Sequence, residues 1–599
     1  MSDLIHFKPL GSEDAAAISR LQRELFAPEY RERVGEIRDI LKNTEEHLVC
    51  NLSFGMYDDT KIVAYVFVYI ESESLFHRRE EEVVYIKEFG VLPGYERYLP
   101  RIFRRLAGLW ATYATGLPFE AHAATPSLES WRKIQRVFRR YGMTLQTRPD
   151  TDSPAHLDYQ LMRFDVDNRI ALGIADPSPL PVAGWQHRNG LSVTRLSNTR
   201  QWQSLKESWD EILSATPDSN VFQSYEFLWQ WWKYFGIWND LCILVLRSGA
   251  EVVALAPMMI QYFPIFGRTV RKLAFIGADM EMNRPTVLRR FDREKVNTAV
   301  LGYLDAHRSE WDCADIDEQL WGDNADSILR HLVQYDYNVA TSETLCPYIE
   351  LDGSWEQFLA SRSRRMRGNL RRLRRRIQES GKMEIRLTKG WPALDAAIDV
   401  HCEIESRSWK IDRNLHIARD AAHYSFYMGL AERFSADGHF ELRTLELDGR
   451  PIASTFGIVD RDSFQSLMIA HDRSYDHLSP GTVLESFELE AMFCSGLRRY
   501  EFLGSFLTNK LRWTDQVIET VNIHVYSKTI RLSLFFYIHF VLKRRVKAIL
   551  KSAGIFEPAD RLLKTLVRLR QTGRSALRSG SLDANGHVAP DDSGEVGRQ

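Results

Sequence analysis

Residues Ser463–Phe493 read SFQSLMIAHDRSYDHLSPGTVLESFELEAMF, and the order of local signals in this stretch decides how the chain is built. SFQSLMIA is an apolar run of strand length that ends at His471-Asp472. A short polar loop follows. Ser479 then stands at the N-cap position, Pro480 at the first helical position, and Gly481 where another group can approach the backbone closely. Strand, loop and helix start in that order leave amides near Gly481, Thr482 and Val483 uncovered at the positive end of the helix dipole. A phosphate or pyrophosphate fits such a place. Ser-Pro-Gly also simply begins helices, so by itself it marks a candidate only.

The same unit opens with a helical front and the hairpin FELRTLELDGRPIASTFGIV, whose Asp448-Gly449 turn is a strong hairpin signal. It continues past the helix into the strand RRYEFLG, with Glu501 near its start. Residues 191–351 repeat the order of parts, from the Trp-rich helix SYEFLWQWWKYFG to the strands LCILVLRS and VVALAPMMIQ around Gly249. Residues 1–170 read as a third unit of this kind, in which Ser53–Met56 and Ile62–Ile70 flank the turn at Tyr57–Thr60. The Pro-rich segment 171–190 reads as a linker, and 352–530 as the unit that begins this account.

Hairpin, strand, phosphate-type turn, helix and further strand is the layout of the GNAT acyltransferases. The passages FQSYEFLWQWWKYFG, CPYIELDGSWEQFLASRSRRMRGNLRRLRRRI and YDHLSPGTVLESFELEAMFCSGLRRYEFLGSFLTNKLRW together resemble the BioF-like, CelD-type acetyltransferase family over residues 190–530. That family is similar to the Fem-type peptidyltransferases. The resemblance implies an α/β (α+β) fold of GNAT-like units in which the last two form a Fem-like tandem, with the site mainly on the second. It implies an acyl-CoA donor, with acetyl-CoA the expected one, and a small-molecule or lipid-linked sugar acceptor from cell-envelope or exopolysaccharide synthesis. Residues 1–170 are similar to a GNAT domain but depart from its pattern. Arg97, Tyr98, Leu99 and Pro100 replace the expected glycines, and Phe138 replaces the expected tyrosine acid, so little or no activity is expected there.

Acyl transfer needs a hold on the CoA pyrophosphate, an N–H for the developing oxyanion, and a base for the attacking amine or hydroxyl. Ser479, Gly481, Thr482 and Val483 are the donor-binding candidates, and a backbone N–H near the end of the Met468–His471 stretch is the oxyanion candidate. His471 and Glu501 are the base candidates, although a strand-end histidine is more often only packed and Glu501 would need burial to raise its pKa. Lys510 and Trp513 match the family's basic-plus-aromatic ending and stand as substrate or phosphate contacts.

Nine arginines fall within 362–376 of a chain whose formal net charge is −2, so the remainder carries −11 and the basic character is local. Met366, Leu370, Leu373 and Ile377 recur as one helical stripe, leaving the arginines, Arg367 and Arg371 among them, for an anionic partner. Such like charges repel by several tenths of a kcal/mol per i,i+4 pair. A charged tRNA is a partner only under the rival Fem-type reading, and DNA is not expected. A third reading is a non-catalytic scaffold in polysaccharide synthesis.

At 599 residues, with 44% hydrophobic and 12% aromatic side chains, the chain can fill several cores. Its six scattered cysteines suggest neither a disulfide framework nor a metal site. No signal-peptide pattern and no apolar run of spanning length is present, so a cytoplasmic protein is expected. Residues 531–578 combine the apolar run Leu534–Leu542 with a basic segment of net +9 over 543–578, a composition suited either to an anionic inner membrane face or to packing on its own domain. Residues 579–599 read as a disordered tail.

Overall fold

In a computed structural model, the structure describes residues 5–11, 14–25, 34–38, 41, 53–74, 79–99, 101–102, 105–106, 119–124, 143–149, 159–166, 184–196, 199–236, 239–266, 268–278, 284–322, 324–413, 415–419, 421–503, 510–543 and 545. Phe138, most of the 171–190 linker, the basic segment from 546 and the 579–599 tail lie outside them. Residues up to Ser527 form one compact unit and those from Lys528 a second. The boundaries expected at 170/191 and 351/352 both fall inside the first.

Two sheets organise the first unit. The N-terminal one runs Ile5–Pro9, Phe54–Asp58, Lys61–Ser74, Arg79–Val91, Phe119–Ala124, Tyr159–Val166, Met143–Pro149 from edge to edge. Its neighbours are antiparallel except Arg79–Val91 and Phe119–Ala124, which run parallel. The central sheet carries the rest. From one edge its strands are Met383–Thr388, Phe440–Leu447, Arg450–Asp460, Ser463–His471, Arg499–Glu501, Tyr337–Glu350, Val517–Ser527, Cys313–Leu320, Arg268–Phe275, Glu251–Ile265, Asp240–Ser248, Leu191–Leu196 and Trp185–Gln186. It holds two more parallel pairs, Arg268–Phe275 with Cys313–Leu320 and Ser463–His471 with Arg499–Glu501.

The strand order exposes an exchange. Between Leu191–Leu196 and Tyr337–Glu350 the central sheet repeats the order of the N-terminal sheet, but the strand that completes it is Val517–Ser527, from the far end of the chain. It pairs with Cys313–Leu320 on one side and over its whole length with Tyr337–Glu350 on the other. Tyr337–Glu350 also accepts Arg499–Glu501 along its last residues, so one strand serves both halves of the tandem.

Local chemistry fixes the hairpins. Asp448 and Gly449 have φ of 52° and 78°, the left-handed pair that the Asp-Gly turn was expected to supply. The tandem shares one core: Trp202, Trp209 and Trp231 are fully buried, and Phe227 meets Phe426 edge to face with ring centroids 5.7 Å apart. Aromatic pairs of this geometry add about 0.5–1.5 kcal/mol beyond the area they bury. The N-terminal sheet abuts the tandem where Asp59 accepts the Thr269 amide at 2.6 Å and His6 stacks on Tyr262 at 5.2 Å.

Candidate functional site

The strand Ser463–His471 is not regular. Phe456 pairs with Met468 and Gly457 with Ser466, so Leu467 is an extra residue, a β-bulge. Gly457 is required opposite it, because a Cβ there would lie 2.3 Å from the Gln465 carbonyl oxygen. Bulges turn backbone groups out of the ladder and recur beside active sites.

Beyond the bulge the two parallel strands part. They are paired only from Ser463/Arg499 to Gln465/Glu501. Phe502 then gives its amide to Pro347 on the opposite neighbour, and Leu503 turns at φ 60°. Lys510 holds the departing chain by donating to the Leu503 carbonyl at 3.1 Å. A wedge therefore opens between the strands, with the bulge on one wall and Leu503 on the other.

The wedge leads to the helix Pro480–Phe493. Ser479 stands at its N-cap in the left-handed region, φ 51° and ψ 53°, with no side-chain cap bond, and Pro480 occupies the first turn. Val483 donates to the Ser479 carbonyl. Val483, grouped with Gly481 and Thr482 from the sequence, is therefore committed to the helix, because intrahelical bonding starts at its amide. The amides of Gly481 and Thr482 precede that bond and are the helix's orphan donors. Gly481 is buried, and a Cβ on it would lie 3.2 Å from His471 Nδ1.

The corresponding helix of the preceding half, Arg293–Ala306, begins differently. Asp292 accepts the Lys295 amide at 2.9 Å and Glu294 lies in the first turn. Carboxylates already occupy the positive end of that dipole, so a phosphate there would meet like charge. The Glu251–Ile265 and Arg268–Phe275 ladder of that half also runs without a register shift. Only the second half of the tandem joins a bulged strand to an uncapped helix.

The expected bases are not brought together. His471 ends the strand, 28% exposed, with Nε2 2.9 Å from Asp476 Oδ1. Glu501 is level with Gln465, six residues earlier on the same strand and so about 20 Å away at ~3.3 Å per residue. It is buried, and Arg284 and Arg499 lie 3.1 and 3.5 Å from its Oε1. Glu501 thus lies at one end of the paired strands and His471 beside the helix start. Trp513 is buried and donates from Nε1 to Glu485 at 2.5 Å, a contact inside the fold.

Beneath the bulge lies a charged network that no motif announced. Lys410 is buried with Nζ 2.6 Å from Glu405 Oε1 and 3.6 Å from Met468 Sδ. Glu405 also accepts the Ile417 amide and faces His401, whose Nδ1 lies 2.7 Å from Ser454 Oγ. Burial alone would push the Glu405 carboxyl up, but His401 and Lys410 outweigh it and hold it at about 2. Burial pushes the His401 imidazolium down. Asp472 ties the loop after the strand, accepting from Ser474, Arg407 and Arg450.

The arginine-rich segment forms the helix Arg364–Ser380 with Leu370, Leu373 and Ile377 buried, as its stripe predicts. Several arginines are committed within the protein. Arg374 stacks 3.9 Å over Phe487 and bonds Ser486 and Glu490, and Arg376 donates to the His477 carbonyl. Arg367 donates to the carbonyls of Ala360 and Arg362, while Arg371 is exposed. Part of the charge strain is relieved inside the fold, and the basic helix is fastened to the helix at the wedge. Among the described residues, no group of side chains could hold a metal ion.

Residues 364–509 match the family described as Acetyltransferase (GNAT) domain. No curated protein matches the chain. Among solved structures, FemX aligns at 12% identity over 56% of this chain and 98% of its own, with a TM-score of 0.41. L-PGS from Bacillus licheniformis aligns at 10% identity over 56% and 96%, TM-score 0.34, and a tandem GNAT protein from the clavulanic acid biosynthesis pathway at 11% over 56% and 98%, TM-score 0.33. Likenesses this distant say nothing about substrate. The chain carries GNAT-like domains in a mixed α/β fold of GNAT acyltransferase type.

Proposed function

We propose that the protein transfers an acyl group from acyl-CoA, with acetyl-CoA the expected donor, to an amine or hydroxyl of a cell-envelope or exopolysaccharide precursor. The observation that carries this reading is the pairing, in one half of the tandem only, of a bulged strand with a helix whose first amides are unoccupied. Gly481 and Thr482 receive the CoA pyrophosphate, and the bulge at Leu467 offers a backbone N–H to the thioester oxygen. The acceptor's nitrogen or oxygen attacks the carbonyl carbon, the new C–N or C–O bond forms, the C–S bond breaks, and the thiolate leaves and takes up a proton. Glu501, whose Oε2 has no hydrogen-bond partner, is assigned the acceptor's proton, and His471 the shape of the pyrophosphate turn.

Calorimetry with acetyl-CoA and longer acyl-CoAs tests the donor. Saturable binding by the wild-type chain, lost in Gly481→Trp, is expected; no heat with any acyl-CoA and no thermal protection by CoA rejects it. A filter assay with charged tRNA distinguishes the Fem-type alternative, which receives less support because Arg374 and Arg376 are engaged internally.

We also infer peripheral binding to an anionic membrane. The helix Ile530–Phe536 and the wider turn Tyr537–Leu542 leave Ile530, Leu534, Tyr537, Ile538 and Leu542 exposed at helical spacing, with Arg531 and Lys543 alongside. No helix among the described residues is long and apolar enough to cross a membrane. Flotation with phosphatidylglycerol vesicles, weakened by Leu534→Glu, is expected; equal recovery with purely phosphatidylcholine vesicles counts against it.

A further inference from the structure

A polar concavity near the tandem's junction lies away from the helix start. A cavity of about 630 Å³ is lined by Asp218 and Asn220 and by Arg284 and Arg293 from the first half, and by Gln465 and Glu501 from the second. That volume is in the range of small-molecule sites. Its walls are polar, so what enters must satisfy hydrogen bonds rather than fill an apolar slot.

The balance of donors and acceptors indicates what enters. The arginines on its walls already face carboxylates: Arg284 and Arg499 face Glu501, Arg293 faces Asp218, and Arg498 faces Asp462. Arg461 donates to the carbonyls of Leu213 and Ser219. Two buried acceptors on its walls are left over. Gln465 gives its amide N–H to Ser463 at 2.9 Å, but its Oε1 has no partner, and neither has Glu501 Oε2. Both side chains are at least nine-tenths buried, at 1% exposure for each residue. A buried acceptor without a donor is costly, and two of them level with each other on paired strands call for a ligand that brings O–H or N–H groups. The lining carries five arginines against six carboxylates, so it holds no surplus positive charge for a phosphate.

We propose that this cavity is a binding site for a neutral or cationic polyol of the sugar class, with amino sugars preferred because Glu501 presents a carboxylate oxygen. Its place suggests its use. Gln465 precedes the bulge residue Leu467 by two positions, ~7 Å along a strand, so a ligand seated on Gln465 and Glu501 ends about one sugar ring from the thioester. As the acceptor site, the cavity rests on the acyl-transfer reading; as a sugar site, it does not.

The test uses the full chain with glucosamine, chitobiose, N-acetylglucosamine and glucose, titrated by calorimetry without any CoA. Glucosamine binding at least tenfold tighter than N-acetylglucosamine is expected. Gln465→Met, close in size and lacking the acceptor amide oxygen, is expected to weaken binding about tenfold while the melting temperature and acyl-CoA binding stay unchanged. Glu501→Gln, which still offers an oxygen to Arg284, should abolish the preference for the free amine. No binding of any of the four sugars at 20 mM, or binding unaltered in a folded Gln465→Met protein, overturns the proposal. Failure of acyl-CoA to bind while the sugar result holds removes only the acceptor role.

Discussion

At the scale of single residues, two buried carboxylates behave in opposite ways. Glu488 on the wedge helix accepts Tyr500 Oη at 2.5 Å and is 1% exposed. Burial pushes its pKa up to about 7, against the pull of Arg443 and Tyr500. The folded chain therefore keeps a proton that the unfolded chain has released above its ordinary value. The stability this gives is present at low pH and lost as pH rises toward and through 7, to the extent of roughly 3 kcal/mol. Glu488→Gln, which keeps an acceptor for Tyr500, is expected to raise the melting temperature over wild type at pH 8 and to change it little at pH 5. Glu405 has the reverse sign, since with a folded value of about 2 it stabilises above its unfolded pKa and loses that stability as pH falls. Lys410→Met leaves Glu405 buried opposite a half-filled network and should cost about 3–5 kcal/mol in urea unfolding. Adding Glu405→Leu should recover part of the loss, and a double variant worse than the single one would refute the pairing.

At the scale of elements, the contrast between the two helix starts makes its own prediction. Ser479→Asp copies the capped start at Asp292. It should hold or slightly raise stability, by about 0.3–1 kcal/mol, because a carboxylate favours the dipole. It should also weaken acyl-CoA binding by at least tenfold, because that carboxylate stands where the pyrophosphate goes. Calorimetry and melting on the same preparation separate the two effects, and unchanged affinity rejects the helix start as the donor site. These elements were readable in advance to different depths. The helix start follows from Ser479-Pro480-Gly481 because capping and proline geometry are local. The bulge does not, since an extra residue exists only relative to the partner strand, and the Gly457 that accommodates it reads in sequence as one more small residue.

At the scale of the whole molecule, the exchanged strand sets what can be separated. Val517–Ser527 completes the sheet of the first half although more than 160 residues of the second half intervene. A fragment ending at residue 351 thus leaves Cys313–Leu320 and Tyr337–Glu350 without the strand between them. Residues 184–351 expressed alone are expected to show no cooperative melting by circular dichroism, whereas 184–543 should melt as one transition. A sharp transition in the shorter fragment would show that the strand is dispensable.

Local pattern in the sequence determined the elements themselves, the α/β class, the hairpin turns, the burial stripe of the arginine helix and the glycine at the helix start, because propensity, capping and periodicity act within a few residues. The tertiary structure alone decided that Glu501 pairs beside Gln465, six residues before His471 on the neighbouring strand, that Lys410, Glu405 and His401 meet beneath the bulge, and that Glu501 shares a cavity with Arg284 from the other half. Those contacts join residues from a few to more than two hundred positions apart. Strand register and the shared core, not any neighbouring residue, bring them together.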